Sequence, residues 1–252
     1  MIDTILYNGD IVTLDPKTPR VSALAIHGEY IVAWGSDDEI RSLATPKTHL
    51  YNLHGRMVIP GLTDAHLHWS WTAQSLRMVD LFEVPTKHEA LQRVASHIQN
   101  VSPEEWVTGR GWTQDIWSDK AFPSAQDLDA VAPQNPVFLT AKSGHAAWVN
   151  SFALRLAGVD EHTPDPDGGK IGRDEQGYPN GMLFETAINL VRQHIPSPSP
   201  DALADMMLEA QQLALASGLT GFHDYDGSAC FAALQILRQR GKLSMRVVKN
   251  IN

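Results

Sequence analysis

Short apolar runs separated by turn residues fill the first 56 positions, a pattern that predicts a small β domain. Ile5-Leu6-Tyr7 and Ile11-Val12-Thr13-Leu14 flank Asn8-Gly9. Both turn residues accept the positive φ of a tight type I′ turn, so the stretch predicts a hairpin. Val21 to Ile26 and Tyr30 to Trp34 read as two further strands across His27-Gly28-Glu29. Met57-Val58-Ile59 opens a new strand, which Pro60-Gly61-Leu62-Thr63-Asp64 carries to His66-Leu67-His68. From about residue 70 to 198 the chain is rich in Pro, Gly and Trp and shows no steady strand–helix rhythm. One helix is predicted there over Lys87 to Asn100, where Leu91, Val94, Ala95 and Ile98 share a face. A shorter one starts at Ser124, with Asp127 three residues on as a capping-box variant. Regular alternation returns at Ser199, which caps a helix with Pro200 in its first turn and Gly218 just past its end. A strand over Leu219 to Tyr225, a helix over Ser228 to Arg240 stopped by Gly241, and a strand from Met245 to Ile251 complete the chain.

The candidate chemistry begins with His66 and His68. On a strand, residues i and i+2 point to the same side about 7 Å apart, so two imidazoles can converge on one ion; on a helix they diverge by roughly 200°. The β-rich run from Met57 to Leu62 favours the strand. Spacing alone is a weak signal, and the surrounding residues discriminate.

The stretch from Gly55 to His68, GRMVIPGLTDAHLH, resembles the first barrel strand of the amidohydrolase superfamily. Ser143 to Asn150, Asn180 to Glu185 and Gly218 to Asp224 are similar to the branch of that superfamily that includes N-substituted formamide deformylases. The resemblance implies an α/β fold: a partial (β/α) TIM-type barrel with a small N-terminal β-sandwich segment and a long insertion after barrel strand 1. The expected boundaries are 1–56 for the β-sandwich segment and 57–252 for the incomplete barrel, with the insertion at about 70–198. Barrel strands are expected near 58–66, 219–225 and 245–251. Setting aside the β segment and the insertion leaves about a quarter of the chain for the barrel, far below the roughly 200 residues a closed one needs. The chain is therefore expected to be an N-terminal fragment of a longer enzyme, with further metal ligands and a catalytic aspartate beyond Asn252.

The resemblance also implies a divalent metal, with zinc the first candidate, held by His66 and His68. Imidazole and carboxylate suit zinc, which acidifies water and polarises a carbonyl; iron, manganese, nickel and cobalt accept the same donors. Glu185, after the apolar run Met182-Leu183-Phe184, is a candidate third ligand, with a helix cap or salt bridge as its alternative role. His145, among Gly144 and small alanines, is a candidate for polarising a substrate carbonyl. His223 and Asp224, at the C-terminal end of a predicted barrel strand, are candidate catalytic groups because that face carries barrel chemistry; a satisfied strand-end pair is the alternative. The expected reaction is hydrolysis of a carbon–nitrogen bond other than a peptide bond, in a small N-substituted amide or formamide. An aminohydrolase of a heterocycle and a catalytically inert metal-binding piece are the alternatives.

Composition narrows the partners. With 20 Lys and Arg against 29 Asp and Glu the net charge is -9, and no basic run is present to track a phosphate backbone, so nucleic acid is not an expected partner. No apolar stretch reaches 18 residues and no basic segment precedes one, so no membrane association is expected and a cytoplasmic location is. A small-molecule substrate and homo-oligomerisation complete the expectations. Cys230 is the only cysteine, which removes thiolate-rich zinc sites and leaves nitrogen and oxygen as metal donors. Six of the seven tryptophans, Trp69, Trp71, Trp106, Trp112, Trp117 and Trp148, fall between 69 and 148. Trp69 and Trp71 are placed to wall a substrate pocket, or else the six form the insertion's own core. Thr163 to Asp174 places Asp165, Asp167 and Gly168 at calcium-loop positions, but Thr163 stands first and Pro164 and Pro166 spoil the flanking helix, so a turn is the better reading.

Overall fold

The computed structural model describes residues 1–251 as a mixed α/β chain. It divides into two compact units, Met1–Ala65 with Ala214–Phe222, and His66–Leu213 with His223–Asn252.

In the first unit, strands Tyr30–Gly35, Ala23–His27, Thr4–Tyr7 and His49–Asn52 lie side by side in that order. A second sheet orders Arg20–Val21, Asp10–Val12 and Met57–Val58. Ile5, Ala23, Ala25 and Ile40 form one small buried core, and Ile11, Leu24 and Leu53 another. Ile40 reaches its core from the helix Asp37–Arg41, whose start is closed by a reciprocal Ser36–Glu39 capping box. The strands on either side of Gly28 do form an antiparallel hairpin.

The hairpin expected across Asn8-Gly9 does not form. Asn8 takes the left-handed conformation, φ 55°, yet Thr4–Tyr7 pairs with Ala23–His27 and His49–Asn52, while Asp10–Val12 pairs with Arg20–Val21 and Met57–Val58. The turn redirects the chain from one sheet to the other. Gly9 packs closely there, since a Cβ would lie 3.2 Å from Leu53 Cβ and 3.3 Å from the Arg56 carbonyl oxygen. The strand expected to run from Met57 to His66 is likewise interrupted: Met57–Val58 belongs to the second small sheet and a separate strand spans Leu62–Leu67.

In the second unit, the region expected to be irregular contains an ordered six-stranded sheet. Its order is Gly169–Arg173, Pro179–Glu185, Ala146–Val149, Val137–Ala141, Val107–Trp112, Val79–Asp80. The last three run parallel and the rest antiparallel. Two apolar clusters pack against it. One includes Leu81, Val94, Leu128, Leu139 and Met182 with Trp112, Trp117 and Trp148; the other includes Phe138, Val149, Leu154, Ile171 and Leu183. The three indoles lie 6.1 to 6.4 Å from one another. Each N–H reaches a carbonyl, of Leu139, Val84 and Ser124 respectively, as buried indoles require. Helix Lys87–Ile98 is capped by Thr86, and Ala125–Asp129 by the Ser124–Asp127 box. At 163–174 the chain is a turn leading into a strand, tied by Asp165 accepting from Ile171 N and by the Arg173 guanidinium donating to carbonyls, Gly177 among them.

Strands Arg246–Lys249, Leu219–Asp224 and Leu62–Leu67 form a three-stranded sheet in that order. Leu62 N donates to Gly218 O at one end and Tyr225 N to Leu67 O at the other. Start therefore meets start and end meets end, and these two strands run parallel. Helices Pro200–Ala216 and Ser228–Gln239 precede and follow the central strand. No described helix is long and apolar enough to cross a membrane.

Candidate metal centre

The C-terminal ends of these three strands gather the charged residues of the site. His66 is in the strand Leu62–Leu67, and His68, one residue past its end, is the N-cap of helix Trp69–Ser75. His68 has φ -101° and ψ 88°, outside the helical region, and its ring lies beside that of His66, their centroids 5.5 Å apart. His66 stacks on Tyr225 at 4.0 Å, nearly coplanar, and His68 meets Trp71 edge-on at 6.3 Å. Trp71 is 60% exposed whereas Trp69 is buried. The tryptophans thus divide: Trp71 borders the histidines, and Trp69, Trp112, Trp117 and Trp148 are core.

Two aspartates, Asp224 as the last residue of the central strand and Asp226 two residues beyond it, organise this end. Asp226 accepts from His68 Nδ1 at 2.9 Å through one oxygen, and from Ser70 N at 2.6 Å and Ser70 Oγ at 2.7 Å through the other. Burial pushes its carboxyl upward, but the Ser70 hydroxyl, the His68 ring and the Ser70 and Trp71 N–H groups outweigh this and hold it below the usual carboxylate range. Asp224 is fully buried. Its Oδ1 accepts from Trp69 N at 3.0 Å, and its Oδ2 lies 2.9 Å from Lys249 Nζ, an ion pair outside hydrogen-bond geometry. Lys249 Nζ also donates to the main-chain oxygens of Asp226 and Asn250, so the third strand is tied to the second through one ammonium. Asp226, Ser70 and Lys249 were not among the sequence candidates. The available signal was position: Asp226, like Asp224, stands at the end of the predicted strand 219–225, and Lys249 lies in the C-terminal half of the predicted strand 245–251.

Two donor sets can be weighed for a cation. Asp224, Asp226 and Cys230 present ligand atoms within 4.8 Å of one another. However, the Lys249 ammonium already meets Asp224, occupying the charge a cation would need, and the Cys230 thiol is buried. A cation does not fit there. His66 and His68 fit better. They are exposed imidazoles on one side of the chain, and the hydrogen bond of His68 Nδ1 to a carboxylate is the arrangement that leaves the far ring nitrogen for a metal.

The remaining candidates fall elsewhere. His145 and Glu185 form their own pair, Nδ1 to Oε2 2.9 Å, with side chains 70% and 55% exposed. Their backbones also meet, Glu185 N donating to His145 O at 3.0 Å, and Glu185 adopts φ 52°. Glu185 therefore engages His145 by salt bridge and backbone. His223 lies on the strand between buried Phe222 and Asp224, its side chain on the opposite face by alternation.

Comparison with known proteins gives this geometry a context. A family-wide sequence model described as the amidohydrolase family matches residues 49–252. Protein LONG AFTER FAR-RED 3 of Arabidopsis thaliana is 35% identical over 218 residues, 86% of this chain and 37% of that protein. N-substituted formamide deformylase of Arthrobacter pascens is 34% identical over 230 residues, 89% of this chain and 42% of that protein. A crystal structure of an uncharacterized metal-dependent hydrolase from Pyrococcus furiosus superposes with a TM-score of 0.74 at 28% identity, covering 98% of this chain and 50% of that one. The chain spans less than half the length of these two curated relatives.

Proposed function

Since the chain belongs to the amidohydrolase family, we propose that it carries the first metal-binding strand of a metal-dependent hydrolase acting on a carbon–nitrogen bond of a small N-substituted amide or formamide. The observation that carries this reading is the His66–His68 pair at a strand end, rings 5.5 Å apart, with His68 backed by Asp226. Similarity to a formamide deformylase and to a metal-dependent hydrolase supports the reaction class. The three-stranded sheet is read as the first part of a (β/α) barrel, whose C-terminal strand ends carry its chemistry.

A divalent ion such as zinc supplies Lewis acidity, acidifying water and polarising a carbonyl. The chain's own residues do the rest of what can be assigned. His66 and His68 hold the ion. Tyr225 backs the His66 ring by stacking, and Trp71 offers an exposed apolar wall beside His68 for the substituent on nitrogen. His145, paired with Glu185, is an exposed imidazole for hydrogen-bonding a substrate carbonyl.

The test is metal analysis of the purified chain beside a His66→Ala, His68→Ala variant of equal foldedness, followed by assay of N-substituted formamides for formate and of amino-substituted heterocycles for ammonia. Stoichiometric metal that the variant lacks, with formate release, is the expected result. Metal uptake unchanged in the variant overturns the site, and ammonia from the amino-substituted heterocycles with no formate from the formamides overturns the substrate class in favour of a deaminase.

A further inference from the structure

The two carboxylate oxygens of Asp226 divide their contacts, one meeting the His68 ring and the other the first residues of the helix that follows it. An ionised carboxylate only accepts, so the ring nitrogen 2.9 Å from it, His68 Nδ1, must carry the proton. Neutral imidazole has one donor and one acceptor nitrogen, so Nε2 is then the lone-pair atom. Resting on the reading that His66 and His68 hold a divalent metal, we infer that Asp226 is a positioning residue for that site, locking His68 as the Nδ1–H tautomer with Nε2 presented to the ion.

The carboxylate is itself fixed. Its second oxygen is occupied by Ser70 N and Ser70 Oγ, so it cannot rotate away without breaking two short bonds. Its main-chain oxygen accepts from Lys249 Nζ, which holds the backbone. The side chain is 13% exposed while that of His68 is 45% exposed, so the aspartate is the sheltered partner and the ring faces outward. Anchoring the helix after His68 requires only the oxygen that meets Ser70; the other oxygen serves the ring alone. Partners of this kind orient a ligating histidine and raise its basicity, and their loss typically weakens metal binding about 10- to 100-fold.

The experiment is long-range proton–nitrogen NMR of the metal-free, nitrogen-15-labelled chain, with the His68 signals assigned by their loss in His68→Ala, together with cobalt titration of each variant. Wild type is expected to show the neutral His68 ring as Nδ1–H with unprotonated Nε2. Asp226→Asn must choose between His68 and Ser70 with its one acceptor oxygen; it is expected to mix the tautomers and to weaken cobalt binding about 10- to 100-fold. Ser70→Ala, which removes the hydroxyl bond but leaves the Ser70 and Trp71 N–H groups on the carboxylate and its other oxygen on the ring, is expected to keep the tautomer and most of the affinity, and it separates positioning from a structural role. An Nε2–H tautomer in wild type overturns the inference even if Asp226→Asn does not fold. So does an unchanged tautomer and affinity in Asp226→Asn. A wild-type chain that takes up no cobalt overturns the metal reading, and with it any positioning toward a metal. Uptake that His66→Ala abolishes and Asp226→Asn leaves intact overturns the positioning role alone.

Discussion

Two histidine–carboxylate pairs in this molecule have the same 2.9 Å contact and quite different surroundings. His68 meets Asp226 over a carboxylate that is 13% exposed and accepts from three other donors, while His145 meets Glu185 with both side chains more than half exposed. The distance alone does not distinguish them. A carboxylate held by neutral donors stays put when the ring changes state, whereas an exposed pair gains little from Coulomb attraction in water and gives up side-chain freedom to form. The first pair is a prepared position and the second an adaptable one.

Four substitutions test that difference, beginning with the charge beneath the prepared position. Lys249→Met leaves the fully buried Asp224 without its cation, and chemical denaturation is expected to show a loss of about 3–5 kcal/mol. Adding Asp224→Asn should restore part of it; full stability in Lys249→Met alone would mean that the ion pair does not support the sheet. Next, Asp226→Asn removes an acceptor from partly buried donors, and the expected cost is about 1–3 kcal/mol by the same measurement.

A third carboxylate grades between the two. Asp127 accepts from Ser124 N and Lys87 Nζ. Burial pushes its carboxyl up, but the Ser124 N–H, the Lys87 ammonium and the Ser124 hydroxyl together hold it below its ordinary 3.8. A depressed folded-state pKa contributes stability that is complete above the unfolded value and is lost as pH falls through the folded one. Asp127→Asn is therefore expected to cost roughly 0.2–1 kcal/mol at pH 7, and the gap to wild type should close as melting is followed below pH 3.8. A gap that persists in acid would assign the effect to packing. Smallest of all, Glu185→Gln should change stability by no more than about 0.5 kcal/mol; a loss as large as that of Asp226→Asn would erase the distinction between the pairs.

The legible parts of the chain were those where one local signal sufficed. Ser199, Pro200 and Gly218 bracket the helix Pro200–Ala216, Ser124 and Asp127 form the expected box, and the strand Leu219–Asp224 was visible from its apolar run. The six-stranded sheet was not, and glycine explains much of that. Val107–Trp112 contains Gly109 and Gly111, which lower its apparent strand propensity. Yet a Cβ on Gly109 would lie 2.6 Å from Leu139 and 2.9 Å from the Val79 carbonyl, and Gly111 sits at φ +99° against Phe82. These glycines permit close packing of neighbouring strands, information that resides in tertiary contacts. The site divided similarly. His66 and His68 were visible from spacing and context, whereas Asp226 is defined by bonds to residues more than 150 positions away.

The solitary thiol offers an unplanned use. Cys230 is buried on the helix Ser228–Gln239 beside both aspartates, in a setting that suppresses its ionisation. A thiol-reactive dye can reach it only when that helix lifts, so pulsed labelling of the unaltered protein clocks the opening of this one corner without any introduced probe. Its rate relative to an unfolded cysteine converts directly to a local opening free energy. Each substitution beneath the histidines then acquires a second readout at the place where it acts, independent of how the remainder of the chain melts.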